Sequence, residues 1–217
     1  LVSRSMQETV KAGSFRYVET STALGNPDDI SGDAGPSSGR QVIKVNCKTG
    51  TNIFDLRLVR GVVYFRGNAP AVTDQLGVAQ AKAASEADLW VRVVRGEKPY
   101  QSFAVGITAR SNISQIRTMF VPSFSRPAAR TTPPSTAIFG QLAYGKGRPP
   151  VGEARYVVGT SSALPRSFDA VTTTTVGRST QTWTFERFGE HLDVAVPSGA
   201  VPYASLHAST PSKGSCA

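Results

Sequence analysis

The chain has 217 residues, 40% of them hydrophobic and 18% charged. It is long enough to bury a core in one or two domains, too apolar for a disordered chain and too sparsely charged for a thermophilic ion-pair surface. No apolar run reaches the roughly 18 residues of a membrane-spanning helix. With 24 Lys and Arg against 15 Asp and Glu, the formal net charge is +9. That balance suits contact with an anionic surface, whether lipid head groups, cell-wall polymers or nucleic acid, and does not choose among them.

The opening residues predict a helix: Val2, Met6 and Val10 recur at helical spacing and Gly13 stops the run. The period then changes to two. Phe15 and Tyr17 mark a first strand, followed by a turn-rich stretch from Gly25 to Gly39. Residues 41–47 place Ile43, Val45 and Cys47 on one face, and residues 52–59 do the same with Phe54, Leu56 and Leu58. A turn at Arg60-Gly61 leads into the strand 62–66, which completes an antiparallel meander with one buried face. Asn68 can cap a helix in which Pro70 suits the first turn and Val72 and Leu76 share a face. The alanine-rich residues 78–87 favour a second helix, and residues 90–94 a short buried segment. A helix from Asn112, with Gln115 as its capping partner, puts Ile113, Ile116 and Phe120 on one stripe.

Residues 123–135, rich in Pro, Ser, Thr and Arg, read as an internal surface linker within one domain. Strands return at 137–144, 153–160, 168–176, 181–188 and 191–196, with a tight turn at Phe188-Gly189-Glu190. The order helix, strands, helices, strands predicts an α+β fold: a single large antiparallel sheet with helices gathered on one face. One domain over residues 1–217 follows, because the strands on either side of the linker need each other to complete the sheet.

The motif search argues against an enzyme. There is no Gly-x-Ser-x-Gly elbow, no Walker loop and no paired metal motif. His191, with Glu190 and Asp193 nearby, reads as a surface or hydrogen-bonded structural histidine rather than a general base, and His207 lies in a polar tail. Two cysteines and two histidines so separated build no zinc site. No cofactor is expected. Aromatic residues do not interleave with the basic ones, and no helix-turn-helix pattern occurs, so nucleic acid is not expected as a partner.

Four segments, in order, resemble the LppX/LprA/LprF/LprG family of actinobacterial lipoproteins, which share the fold of the lipoprotein carriers LolA and LolB. They are Gly13-Ser14-Phe15-Arg16-Tyr17 after an opening helix; residues 58–68, a hairpin ending in Tyr64-Phe65-Arg66-Gly67-Asn68; Leu89-Trp90-Val91-Arg92-Val93; and residues 183–197, an aromatic strand, a Phe-Gly-Glu turn and a Val-rich run ending at Pro197. The resemblance spans residues 1–203. It implies a half-barrel sheet curled around helices on its concave face, with an apolar cavity that holds acyl chains. It also implies export to the cell envelope, by a lipid anchor or as a secreted protein, and an acyl lipid or glycolipid as ligand. The chain opens at Leu1 without the lipidated cysteine of that family, so the expectation is a segment trimmed upstream or secretion without an anchor. Export would favour a disulfide between Cys47 and Cys216, closing a long loop and tethering the tail 207–217; two unpaired thiols and a flexible tail are the other reading.

The alternating apolar residues supply the cavity candidates: Phe15, Tyr17, Ile43, Phe54, Leu56, Leu58, Tyr64, Leu76, Trp90, Ile113, Ile116, Phe120, Phe139, Tyr156, Val158, Trp183 and Phe185. The same residues could simply fill a dry core. Residues 91–130 are locally basic, and Arg92, Arg95, Lys98, Arg110 and Arg117 are candidates for contact with lipid head groups or an anionic membrane surface; solvated arginines are the plainer reading. Two functions follow: a non-enzymatic lipid carrier of the envelope, or a structural or interaction protein with a filled core that binds an envelope protein partner.

Overall fold

The computed structural model describes residues 1–22, 29–47, 50–128, 133–143, 149–174 and 177–206. In chain order they form α1 (Val2–Ala12), β1 (Phe15–Ser21), β2 (Asp29–Ala34), β3 (Gly39–Cys47), β4 (Gly50–Val59), β5 (Val62–Gly67), α2 (Ala69–Leu76), α3 (Gln80–Glu86) and β6 (Val91–Val93). The second half supplies α4 (Tyr100–Ala104), α5 (Ala109–Met119), β7 (Phe120–Pro127), β8 (Ser135–Leu142), β9 (Gly152–Gly159), β10 (Pro165–Thr174), β11 (Gly177–Glu186) and β12 (Val201–Pro202).

The strands make one open, curled 12-stranded sheet in the order β12-β6-β5-β4-β3-β2-β1-β11-β10-β9-β8-β7. Neighbours are antiparallel except β12, which lies parallel to β6. Two meanders are thereby joined at one seam, where β1 pairs with β11 from Arg16 opposite Glu186 to Ser21 opposite Gln181.

Alternation decides which side chains face the helices. Around the seam, Phe15, Tyr17, Trp183, Phe185, Phe168 and Tyr156 are buried in one cluster with Met6 of α1 and Ile113, Ile116 and Met119 of α5. Farther along, Ile43, Phe54, Leu56, Val63 and Phe65 are buried with Val72 and Leu76 of α2 and Phe103 and Ile107 around α4. Local chemistry sets the helix ends. The Asn68 side-chain Oδ1 accepts from the Ala71 N–H at 3.1 Å and Gly77 closes α2 in the left-handed region at φ 75°. The α1 prediction agrees with the structure, with Gly13 as its cap.

Several predicted boundaries are corrected. The turn-rich stretch from Gly25 to Gly39 contains β2, which a glycine and acidic residues had concealed. Residues 123–127 of the predicted linker are the second half of β7, paired with β8 as an edge strand. An edge strand tolerates Pro122 and Pro127 because its outer N–H groups need no ladder partner, and it bulges between Pro122 and Phe124. Helix α5 starts earlier than Asn112: Thr108 Oγ1 accepts from the Ser111 N–H at 3.2 Å, and Asn112 is a buried interior residue. Residues 191–196 run as irregular chain rather than a strand. Helix α4 was not anticipated from sequence.

Residues 192–200 instead cross the outer face of the sheet, where Leu192, Val194 and Ala200 pack with Val59, Tyr64 and Trp90. The Arg57 and Arg66 guanidiniums sit over the Trp90 ring at 4.5 and 4.9 Å, with Asp55 within 3.6 and 3.7 Å of the same two cations. This end of the sheet is thus covered on both faces.

A candidate ligand cavity between sheet and helices

Where β1 to β4 and β11 meet α2, α4 and α5, the packing leaves a cavity of about 170 Å³. Its sheet wall is two rows of side chains running across the strands. In the first, register places Phe54, Ile43, Ile30, Glu19 and Trp183 side by side. That row continues away from the cavity as Phe168, Tyr156 and Ile138, so Glu19 is the one ionisable carboxyl in an otherwise apolar and aromatic file. The second row is Leu56, Gln41, Gly32 and Tyr17.

Gly32 explains how the second row closes. A Cβ there would lie 2.7 Å from the Tyr17 ring and 2.8 Å from the Arg40 carbonyl oxygen, so the ring lies across β2 only because that residue has no side chain. The Tyr17 hydroxyl thereby reaches β3 and donates to Gln41 Oε1 at 2.6 Å. Tyr17 also stacks on Trp183, with ring centroids 6.3 Å apart. Burial pushes the Tyr17 hydroxyl far above its ordinary pKa, so it remains a donor.

The helical wall contributes Gln75, Ser102, Phe103, Val105, Gly106, Asn112 and Gln115. Val105 and Ser102 are exposed and Gln75 and Gln115 half-buried, which places the mouth between α2, α4 and α5. Asn112 is buried, and its Nδ2 donates to the Gly106 carbonyl at 3.1 Å. Glu19 is 6% exposed and accepts a hydrogen bond from Gln181 Nε2. Burial, opposed by Gln181 and the neighbouring Trp183 indole, raises its carboxyl from 4.5 to about 7.

The predicted candidates divide into three groups. Tyr17, Ile43, Phe54, Leu56 and Trp183 line the cavity. Phe15, Leu58, Leu76, Ile113, Ile116, Phe120, Tyr156, Val158 and Phe185 face the same side of the sheet but are packed into the two clusters. Tyr64, Trp90 and Phe139 are corrected: they lie on the opposite face, because each is one residue out of step with the inward-pointing Val63, Val91 and Ile138. Phe139 stacks there on Phe124 at 5.1 Å, beneath the Arg126 guanidinium.

Sequence reasoning missed Glu19, Gln41 and Asn112. The signal for the first two was present: both occupy inward positions of an alternating strand, two residues from Tyr17 and from Ile43. The basic candidates Arg92, Arg95, Lys98, Arg110 and Arg117 are all exposed, spread over β6, the chain before α4, and α5. Cys47 ends β3, whereas Cys216, His207 and the tail 207–217 lie outside the described residues.

Exposed His191 lies in a second, polar recess of about 150 Å³. The cations there are matched: Arg40 pairs with Asp33 at 2.8 Å and Arg187 with Glu190 at 2.5 Å. The Ser14 hydroxyl donates to the Glu190 carbonyl at 2.5 Å and holds the Phe188-Gly189-Glu190 turn against β1. Among the described residues, no group of His, Cys, Asp and Glu is arranged to hold a metal ion.

No protein-family model and no curated protein sequence matches the chain. Among solved structures, it is similar to a hypothetical protein of Chlamydia trachomatis, at 11% identity and a TM-score of 0.39, with 89% of this chain and 98% of that one covered. It is also similar to a LolA superfamily protein of Nitrosomonas europaea, at 6% identity and a TM-score of 0.26, with 88% and 94% covered.

Proposed function

We propose that this chain is a non-enzymatic binding protein for a hydrophobic ligand, received in the cavity between the sheet and α2, α4 and α5. The observation that carries the proposal is the wall itself: Ile43, Phe54, Leu56, Phe103 and Trp183 surround a space left unfilled in an otherwise packed core. At about 170 Å³ it is close to the roughly 150 Å³ that admits benzene and below the roughly 300 Å³ of pockets for drug-sized ligands. It therefore takes one end of a longer molecule, with the remainder leaving by the mouth at Ser102 and Val105. An acyl lipid or glycolipid carrier of the cell envelope, exported and built as a LolA/LppX-type half-barrel, is the specific form of this reading. The exposed arginines of α5 would then meet anionic head groups.

Organic extraction of the purified protein followed by mass spectrometry tests it. A co-purifying hydrophobic molecule is expected from the wild type, and much less from Leu56→Trp, which fills the cavity. Repeated absence of such a molecule, together with no uptake of an environment-sensitive apolar dye, would refute it.

A second reading, an interaction protein, draws on β7, where Val121 and Phe124 are 53% and 59% exposed. Co-purification of a protein partner that is lost on Phe124→Ser, in a chain that carries no ligand, would favour it.

A further inference from the structure

We propose that Glu19 makes this cavity a proton-controlled site: the apolar end of the ligand is held while the Glu19 carboxyl carries its proton and is released when the carboxyl ionises. The inference rests on the cavity being a ligand site and specifies how that site is regulated.

The geometry that carries it is one carboxyl set into the wall of an otherwise uncharged space. Glu19 lines the cavity, is 6% exposed and stands between Ile30 of β2 and Trp183 of β11. Its hydrogen-bond partners are neutral donors, the Gln181 amide and the Trp183 indole. Among the described residues it makes no ion pair. Tyr17 is the other titratable residue of the wall, and burial keeps its hydroxyl protonated far into the alkaline range. Gln75, Ser102 and Gln115, which α2, α4 and α5 bring to the same space, carry no charge. Every other charged residue of β1 to β4 and β11, from Arg16 and Asp33 to Lys44, Asp55 and Glu186, is one position out of step with the wall and so points to the opposite face of the sheet. Asp74 of α2 accepts from the Asn52 amide at 2.8 Å and is not part of the wall, and Arg110 and Arg117 of α5 are exposed.

The two protonation states of that carboxyl call for different contents of the cavity. A neutral carboxyl keeps an acceptor oxygen for Gln181 and can be covered by an aliphatic or aromatic group at little cost. A carboxylate with no counter-charge needs water. The water that reaches it from the cavity takes the volume that the ligand's apolar end would fill. An apolar ligand and an ionised Glu19 therefore exclude each other, and binding favours the protonated form. By linkage, affinity is full in acid and falls as pH rises through the carboxyl's own titration. Burial, opposed by Gln181 and Trp183, holds that carboxyl at about 7 in the free protein. The exchange between retention and release thus falls across the neutral range.

The test uses toluene, which has no titrating group, added to the full wild-type chain by isothermal titration calorimetry. Between pH 6 and pH 8 the fraction of protein with a protonated Glu19 falls from about nine-tenths to about one-tenth, so toluene is expected to bind about tenfold more weakly at pH 8. Glu19→Gln, which cannot ionise, is expected to bind it equally at both. At pH 7 the wild type is expected to take up about half a proton per toluene bound, read from how the binding heat varies with the ionisation enthalpy of the buffer. That measurement needs no variant, so a folding defect in Glu19→Gln does not decide the outcome. Equal wild-type binding at both pH values, with no proton uptake, overturns proton control while leaving the apolar cavity intact as a site. A pH dependence that survives in Glu19→Gln overturns the assignment to Glu19. Failure of toluene to bind at either pH overturns this inference and the ligand-binding reading together.

Discussion

Replacing Glu19 by Gln should make the protein more stable at alkaline pH and leave it little changed in acid. The Glu19 carboxyl stands at about 7 in the folded chain against 4.5 ordinarily, and the side chain is 6% exposed. A raised carboxyl pKa means that folding takes up a proton between those values. Its contribution is most favourable below pH 4.5, falls as pH rises, and reaches its full cost above pH 7. At about 1.4 kcal/mol per pH unit, the interval corresponds to about 3 kcal/mol. Glutamine keeps the shape and the hydrogen bond to Gln181 but carries no charge to bury. Its strand neighbours Ile30 and Trp183 do not titrate, and Tyr17 is pushed too high to ionise in this range. Every other titrating group is shared by both proteins and cancels in the difference. Urea unfolding followed by circular dichroism at pH 4, 6 and 8 would read it: a separation of about 1 M in midpoint at pH 8, closing toward pH 4. Parallel stability curves for the two proteins across that range would refute the argument that Glu19 is buried as a neutral acid.

Three further outcomes are expected. Gly32→Ala introduces a Cβ at 2.7 Å from the Tyr17 ring and should cost about 1–3 kcal/mol in urea unfolding, because both the ring and the β3 backbone are confined; an unchanged midpoint would show that Tyr17 does not lie across β2. Asn68→Ala removes the α2 cap, the bond from Nδ2 to the Thr51 carbonyl at 2.9 Å and the bond accepted from the Ile53 N–H at 3.2 Å, and should lower stability by about 1–2 kcal/mol. If the chain is exported and Cys47 pairs with Cys216, alkylation of the denatured protein should label neither cysteine until reductant is added, as read by intact mass; labelling of both without reductant would reject the pairing.

How far the fold could be read in advance varied with residue chemistry. The α1 pattern of Val2, Met6 and Val10 with its Gly13 stop, and the Asn68-Pro70 start of α2, are local signals, and each was met by the expected element. The meander from β3 to β5 was legible because a strand with one face on the core repeats every two residues. Strands β2 and β7 were hidden for opposite reasons. In β2, Gly32 is present to make room for a neighbour's ring, a requirement set by β1. In β7, the prolines are tolerated because no strand among the described residues pairs with its outer edge. The misplacement of Tyr64 and Trp90 has the same origin: alternation gives the face a residue takes but not what covers that face, and here residues 192–200 cover the second one.

Sequence alone therefore determined the α+β class, the Gly13 end of α1, the Asn68 start of α2 and the inward residues of most strands, since these depend on neighbours a few positions away. Only the tertiary structure decided that β1 lies against β11, and this one pairing places Glu19 beside Trp183 across 164 positions of chain. It also decided that Asn112, from a helix between the two meanders, faces the same space. The cavity exists because strands distant in sequence set its width and short helices roof it incompletely, and no local pattern records the volume left between them.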